Sequence, residues 1–120
     1  MGMYTHVRGW MQLKHHYTVL AEELEKKFND AMQKAERLSP RSRACVACTV
    51  FHYGCNGCPY IFIGGEMKDY DNDWDIFLHF LASEFDIRAY SLEMKYEEWD
   101  EWQKIGLDIQ EGQKQTRRVA

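Results

Sequence analysis

The spacing of apolar residues along this chain switches between a period of two and a period near 3.6, and that succession constrains the fold more than any single motif. Tyr4 to Lys14 alternates, with Thr5, Val7, Gly9, Met11 and Leu13 on one side and Tyr4, His6, Arg8, Trp10 and Gln12 on the other. Such a run is a strand with one buried face. The aromatics among polar groups opposite suit a sheet side that is open or only partly covered. From Thr18 to Leu38 the spacing becomes helical through Leu20, Leu24, Phe28, Ala31, Ala35 and Leu38. Thr18 is placed to cap that helix and Ser39-Pro40 to end it, because the residue before proline avoids helical backbone.

Ala44 to Phe51 (ACVACTVF) and Tyr60 to Met67 (YIFIGGEM) read as two strands, the second of them buried. The intervening HYGCNGCP concentrates turn formers and implies an antiparallel hairpin. Trp74 to Phe85 is apolar around most of a helical circumference and follows Asp69, Asp71, Asp73 and Asp75. Carboxylates there suit the free amides and positive dipole end of a helix start. Alternation returns from Asp86 through Tyr90, Leu92, Met94 and Tyr96, and Trp99, Trp102 and Ile105 suggest a short helical turn closed by Gly106. The expected architecture is α+β: a ferredoxin-like βαββαβ sandwich, with a four-stranded antiparallel sheet and two helices on one face. At 120 residues it is read as one domain, residues 1–120, with its core at 3–105 and a polar tail at 106–120.

Composition narrows the function classes. With 45% hydrophobic and 28% charged residues and two prolines, the chain is globular in type. Its apolar runs fall short of the ~20 residues a spanning helix needs, so no membrane partner is expected. The opening MGMYTHVRGW lacks the basic-then-apolar pattern of a secretory signal, which makes the cytoplasm the expected compartment. A net charge of −4 argues against general affinity for phosphate backbones, and no direct nucleic-acid partner is expected. Carboxylates crowd the stretch from Glu66 to Glu101, which is either an ordinary solvated face or a surface suited to a basic partner.

The four cysteines fall as Cys45-x2-Cys48-x6-Cys55-x2-Cys58, the pairwise spacing of two thiolate knuckles. Four thiolates satisfy the tetrahedral preference of zinc, and a structural Zn²⁺ would pin the hairpin tip. The strand reading raises an objection. In an extended segment Cys45 and Cys48 point to opposite faces, so either the strand starts later or no metal is shared. The plainer alternative is a set of small, partly buried thiols beside a turn, and His52 is the one histidine placed to replace a sulfur. The DYDND run from Asp69 fails as a calcium loop, with Trp74 where glycine is needed and Phe80 where a glutamate is needed. No Ser-His-Asp order, phosphate-cradling loop or HExxH helix is present, so a non-enzymatic role is expected. The segment Glu97, Glu98, Trp99, Asp100, Glu101 and Trp102 sets aromatic area among carboxylates, which fits either an interface anchor in a charged rim or the packing of a terminal turn.

MYTHVRGW at Met3 to Trp10, taken with YIFIGGE at Tyr60 to Glu66, resembles a group of small proteins encoded by phages and mobile elements. The resemblance covers the first strand and the third, not the cysteines or the EEWDEW segment. It implies a ferredoxin-like domain and a mobile-element setting, with no catalytic residues to transfer. The expected function is therefore an accessory factor that binds a host or phage protein through its acidic, Trp-bearing surface, inhibition of a host defence complex being one version. The alternative is a zinc-stabilised regulatory module that binds a small molecule or nucleotide on the open sheet face of Tyr4, His6, Arg8 and Trp10.

Overall fold

The computed structural model describes residues 4–14, 21–53 and 58–107. The alternation at the start of the chain forms β1 (Tyr4–Leu13), and its apolar set is buried as the period requires: Thr5, Val7, Met11 and Leu13 are each at most 3% exposed. This strand lies at the centre of an antiparallel sheet of order β2-β3-β1-β4-β5, with β2 at Thr49–Tyr53, β3 at Pro59–Lys68, β4 at Ile87–Tyr96 and β5 at Gln103–Lys104. The register sets Trp10 opposite Phe62 on one side and Ser91 on the other.

Helices α1 (Ala21–Ala35) and α3 (Asp73–Glu84) supply the remaining core. Phe28, Ala31, Met32 and Ala35 of α1 and Trp74, Phe77, Leu78 and Leu81 of α3 join the inward residues of β1, β3 and β4 in one cluster. Burying each of the larger side chains contributes roughly 1.5–3 kcal/mol. Because the inward sheet residues share one parity, the helices cover one face only; on the other, Val50 is 59% and Phe62 41% exposed. Gly9 fixes how closely β1 and β4 approach. It sits at φ +145°, and a Cβ there would lie 2.0 Å from the Ser91 carbonyl oxygen.

The α+β class holds, with corrections to the finer expectation. The sheet has five strands where four were expected, and there are three helices among the described residues where two were expected. The added helix, α2 (Ser42–Ala47), occupies the first half of the segment read as strand Ala44 to Phe51, so the strand begins only at Thr49. The helical turn expected around Trp99 to Ile105 is instead the tip and return of a β4–β5 hairpin, in which the Ile105 amide donates to the Leu92 carbonyl. Strand β3 is buried on one face and not both. The proposed helix cap Thr18 lies outside the described residues.

A non-local clamp explains α2. Asp73, fully buried at the start of α3, accepts hydrogen bonds from the Ser39 hydroxyl and, at 3.0 Å, from the Arg41 amide. Ser42 completes the turn, its hydroxyl donating to the Ser39 carbonyl at 3.0 Å. Asp69 acts as the expected acidic partner of the helix start, accepting from the amides of Asp73 (2.5 Å) and Trp74 (3.3 Å). Burial opposes ionisation of Asp73, but the bonds from Ser39 and the Arg41 amide outweigh it and hold the carboxyl below its ordinary value. Burial dominates at Asp69 and pushes its carboxyl up.

Replacement Asp73→Ala is expected to destabilise the fold by about 2–4 kcal/mol in urea unfolding, since two hydrogen bonds to a charged group disappear. The pH dependence follows in sign. A depressed carboxyl contributes stability that is present above its ordinary value of about 3.9 and lost as the pH falls through the lowered one. The stability difference between the native chain and Asp73→Asn should therefore shrink on acidification. A difference that grows would contradict the clamp. Asp69 acts with the opposite sign, and because Asp73 itself helps to raise it, the comparison reads the two carboxyls together.

Candidate functional site

Two candidate surfaces that look separate in sequence meet on the open face of the sheet. Strand parity brings His6, Arg8 and Trp10 of β1 to that face, as expected, together with Tyr60, Phe62 and Glu66 of β3, Val50 and His52 of β2, and Glu93 of β4. Trp102, from the acidic segment, follows the β4–β5 hairpin back onto the same face. The Arg8 guanidinium lies 3.9 Å from the centre of the Trp102 ring, and the His6 ring meets it edge-on at 6.4 Å. Arg8 also pairs with Glu93 at 3.0 Å, and His6 with Glu66 at 2.9 Å.

The other half of the face is aromatic. Trp10 meets Tyr60 edge-on at 5.9 Å, Tyr60 stacks on Phe62 at 5.5 Å, and His52 contacts Phe62 at 6.0 Å. With the exposed Val50 these rings form a continuous patch that no helix among the described residues covers and that reaches the β2 edge. Val50, His52, Tyr60 and Phe62 were not among the residues expected on this face. A period-two count through YIFIGG, aligned antiparallel to the alternation of β1, would have put Tyr60 and Phe62 beside Trp10.

The rest of the acidic segment stands apart. Glu97, Glu98, Asp100 and Glu101 are exposed at the hairpin tip, and Trp99, 38% exposed, packs edge-on against Tyr96 at 4.4 Å. The segment is therefore divided: Trp102 is held down on the sheet, and Trp99 projects among carboxylates. Tyr4, the fourth residue expected on the open face, lies at the sheet's end beside Lys68, whose ammonium sits 5.6 Å from its ring.

The cysteines do not assemble as a four-sulfur site among the described residues. The late start of β2 removes the objection to Cys45 and Cys48, which now lie three apart on one side of α2 and its end. Cys48 sits beside Gly65, where an added Cβ would come within 2.2 Å of its sulfur, and the Cys45 thiol contacts the Met67 sulfur at 3.7 Å. Cys58 is at the far end of the hairpin. The Gly64 amide donates to the Cys48 carbonyl, and β3 starts at Pro59, so roughly 17 Å of strand separates Cys48 from Cys58. That span prevents one zinc ion from joining Cys58 to Cys45 and Cys48. Cys55 lies outside the described residues, and no group of three or more metal-ligating side chains occurs among the described ones.

Burial, reinforced by the nearby carboxylates of Asp73 and Asp69, pushes the Cys45 thiol well above the ordinary range; burial also raises Cys48. Neither is a poised nucleophile. No helix among the described residues is long and apolar enough to cross a membrane. Compared with family models, curated proteins and solved structures, the chain shows no match.

Thiol labelling checks the buried environment. Cys45 should resist alkylation in the native protein at neutral pH and react only when denaturant exposes it, as followed by mass spectrometry of labelled peptides. A raised thiol also makes stability fall as pH climbs past the unfolded-state value of about 8.5, where only the unfolded chain ionises. Cys45→Ala should flatten that alkaline decline.

Proposed function

We propose that this protein is a non-enzymatic binding factor whose partner is another protein, docked on the open face of the sheet. The observation that supports this reading is the uncovered patch of Trp10, Tyr60, Phe62, His52 and Val50 on a face that the fold's own helices leave bare. A contiguous aromatic surface of this kind is characteristic of an interaction site. Beside it lie the paired charges His6–Glu66 and Arg8–Glu93 and the ring of Trp102, giving an apolar centre with a polar border. A protein suits this face better than a nucleic acid does. The exposed cation most central to it, Arg8, is already engaged by Glu93 and Trp102, and the chain carries a net charge of −4.

In this proposal the first four strands form a ferredoxin-like split arrangement carrying a short added edge strand, and the setting is the phage or mobile-element one that the resemblance implies. The partner is then a host or phage protein, and inhibition by occlusion is the simplest consequence of binding on that face.

Val50 and Phe62 are exposed, so Val50→Asp and Phe62→Asp should leave the circular dichroism spectrum and unfolding midpoint close to native. Each should weaken capture of the partner by at least about 30-fold, the loss expected of an interface anchor. The measurement is quantitative affinity capture from host lysate with the full chain, followed by titration against the recovered partner. If both variants recover the same proteins with native affinity, the open face is not the binding surface.

A further inference from the structure

The hairpin tip and a groove beside it carry opposite charge, and little of either charge is answered among the described residues. The groove, about 630 Å³ in volume, runs between α2 and the end of the sheet where Tyr4 and Lys68 pair. Ala44, Ala47 and Met67 give it an apolar floor beside the Tyr4 ring, and Arg41, Arg43 and Lys68 rim it. Arg41 is committed, lying 4.7 Å from the centre of the Tyr70 ring and 3.8 Å from an Asp71 oxygen. Arg43 is exposed, and neither it nor Lys68 makes an ion pair among the described residues. At the tip, Glu97, Glu98, Asp100 and Glu101 are likewise exposed and make no ion pair among the described residues, with Trp99 projecting between them.

We infer that the groove receives the acidic tip of a second copy of this chain, so that the basic partner suited to residues 97–101 is the protein itself. Trp99 of one copy lies on the Ala44 and Ala47 floor of the other, and the tip carboxylates meet Arg43 and Lys68. Charge complementarity supports the match, as does the pairing of an exposed indole with an apolar floor. Placement supports it too. The Glu97 amide donates to the Tyr4 carbonyl at 2.9 Å, so tip and groove share one end of the sheet. A two-fold axis at that end carries each tip into the facing groove, making the contact twice. The groove of a single copy is not lined by its own tip. The inference is independent of the open-face reading, because the aromatic patch around Trp10 and Tyr60 lies toward the other end of β1.

The test uses the full chain in sedimentation equilibrium with two charge-reversed variants, both confined to the sheet-end surface. One reverses the tip (Glu98→Lys, Asp100→Lys, Glu101→Lys) and the other the groove (Arg43→Glu, Lys68→Glu); circular dichroism confirms that each folds. The native protein is expected to dimerise at about 10–100 µM and to weaken as salt rises. Each variant alone brings like charges together and should dimerise at least about 100-fold more weakly. An equimolar mixture of the two should recover a heterodimer, because both contacts are again opposite in sign. A native chain that stays monomeric through that range, a dimer indifferent to both reversals, or variants that fail to recombine would each overturn the inference. Arg117→Glu with Arg118→Glu should leave the dimer intact. Loss of the dimer in that variant would assign the tip's counter-charge to the C-terminal segment instead and overturn it equally.

Discussion

The buried carboxylate of Asp73 is the interaction on which the helical side of this structure depends. It joins the first residue of α3 to the backbone between α1 and α2, across more than thirty residues of sequence. A charged group held out of water is costly unless its hydrogen bonds are supplied, and Ser39 and the Arg41 amide supply them to one oxygen. The second oxygen, Oδ2, and the neighbouring Trp74 indole nitrogen have no partner among the described residues, so the clamp holds a residual cost of its own. What it secures is the position of α2, and with α2 come the placement of Cys45 against Met67 and one wall of the sheet-end groove.

That same clamp marks the limit of what local sequence reveals. The alternation of β1, the helical spacing of α1 and the apolar circumference of α3 were legible because each buries a face by its own period. The stretch Ala44 to Phe51 was not, since cysteine, valine and threonine favour an extended chain and only a carboxylate far along the sequence turns its first half into helix. The fifth strand was hidden for a related reason. Two residues, Gln103 and Lys104, carry no periodicity, and they pair with β4 because the preceding turn returns the chain beside it.

The candidate surfaces were half legible. His6, Arg8 and Trp10 follow from parity alone, whereas their neighbours on β2 and β3 follow from register, which the sequence of one strand does not contain. The acidic segment reads as one unit but folds as two. A hairpin return places Trp102 over Arg8, while the tip keeps Trp99 and its carboxylates at the sheet's end. The thiol spacing suggested convergence, and the hairpin register separates it into buried Cys45 with half-buried Cys48 at one end and Cys58 at the other.

Gly9 has a consequence for heredity. Strand β1 is flanked on both sides, and a slip of one residue would exchange Val7 and Met11 for Arg8 and Gln12 against the helices. At position 9 the backbone of β4 stands where any side chain would begin, and the backbone angle is one that side-chain-bearing residues rarely adopt. A randomised library selected for folding would therefore return glycine at that codon, and its flanking positions would drift only within their own face. The lineage of this protein is tied to that one missing methyl group more firmly than to any of the aromatic rings it displays.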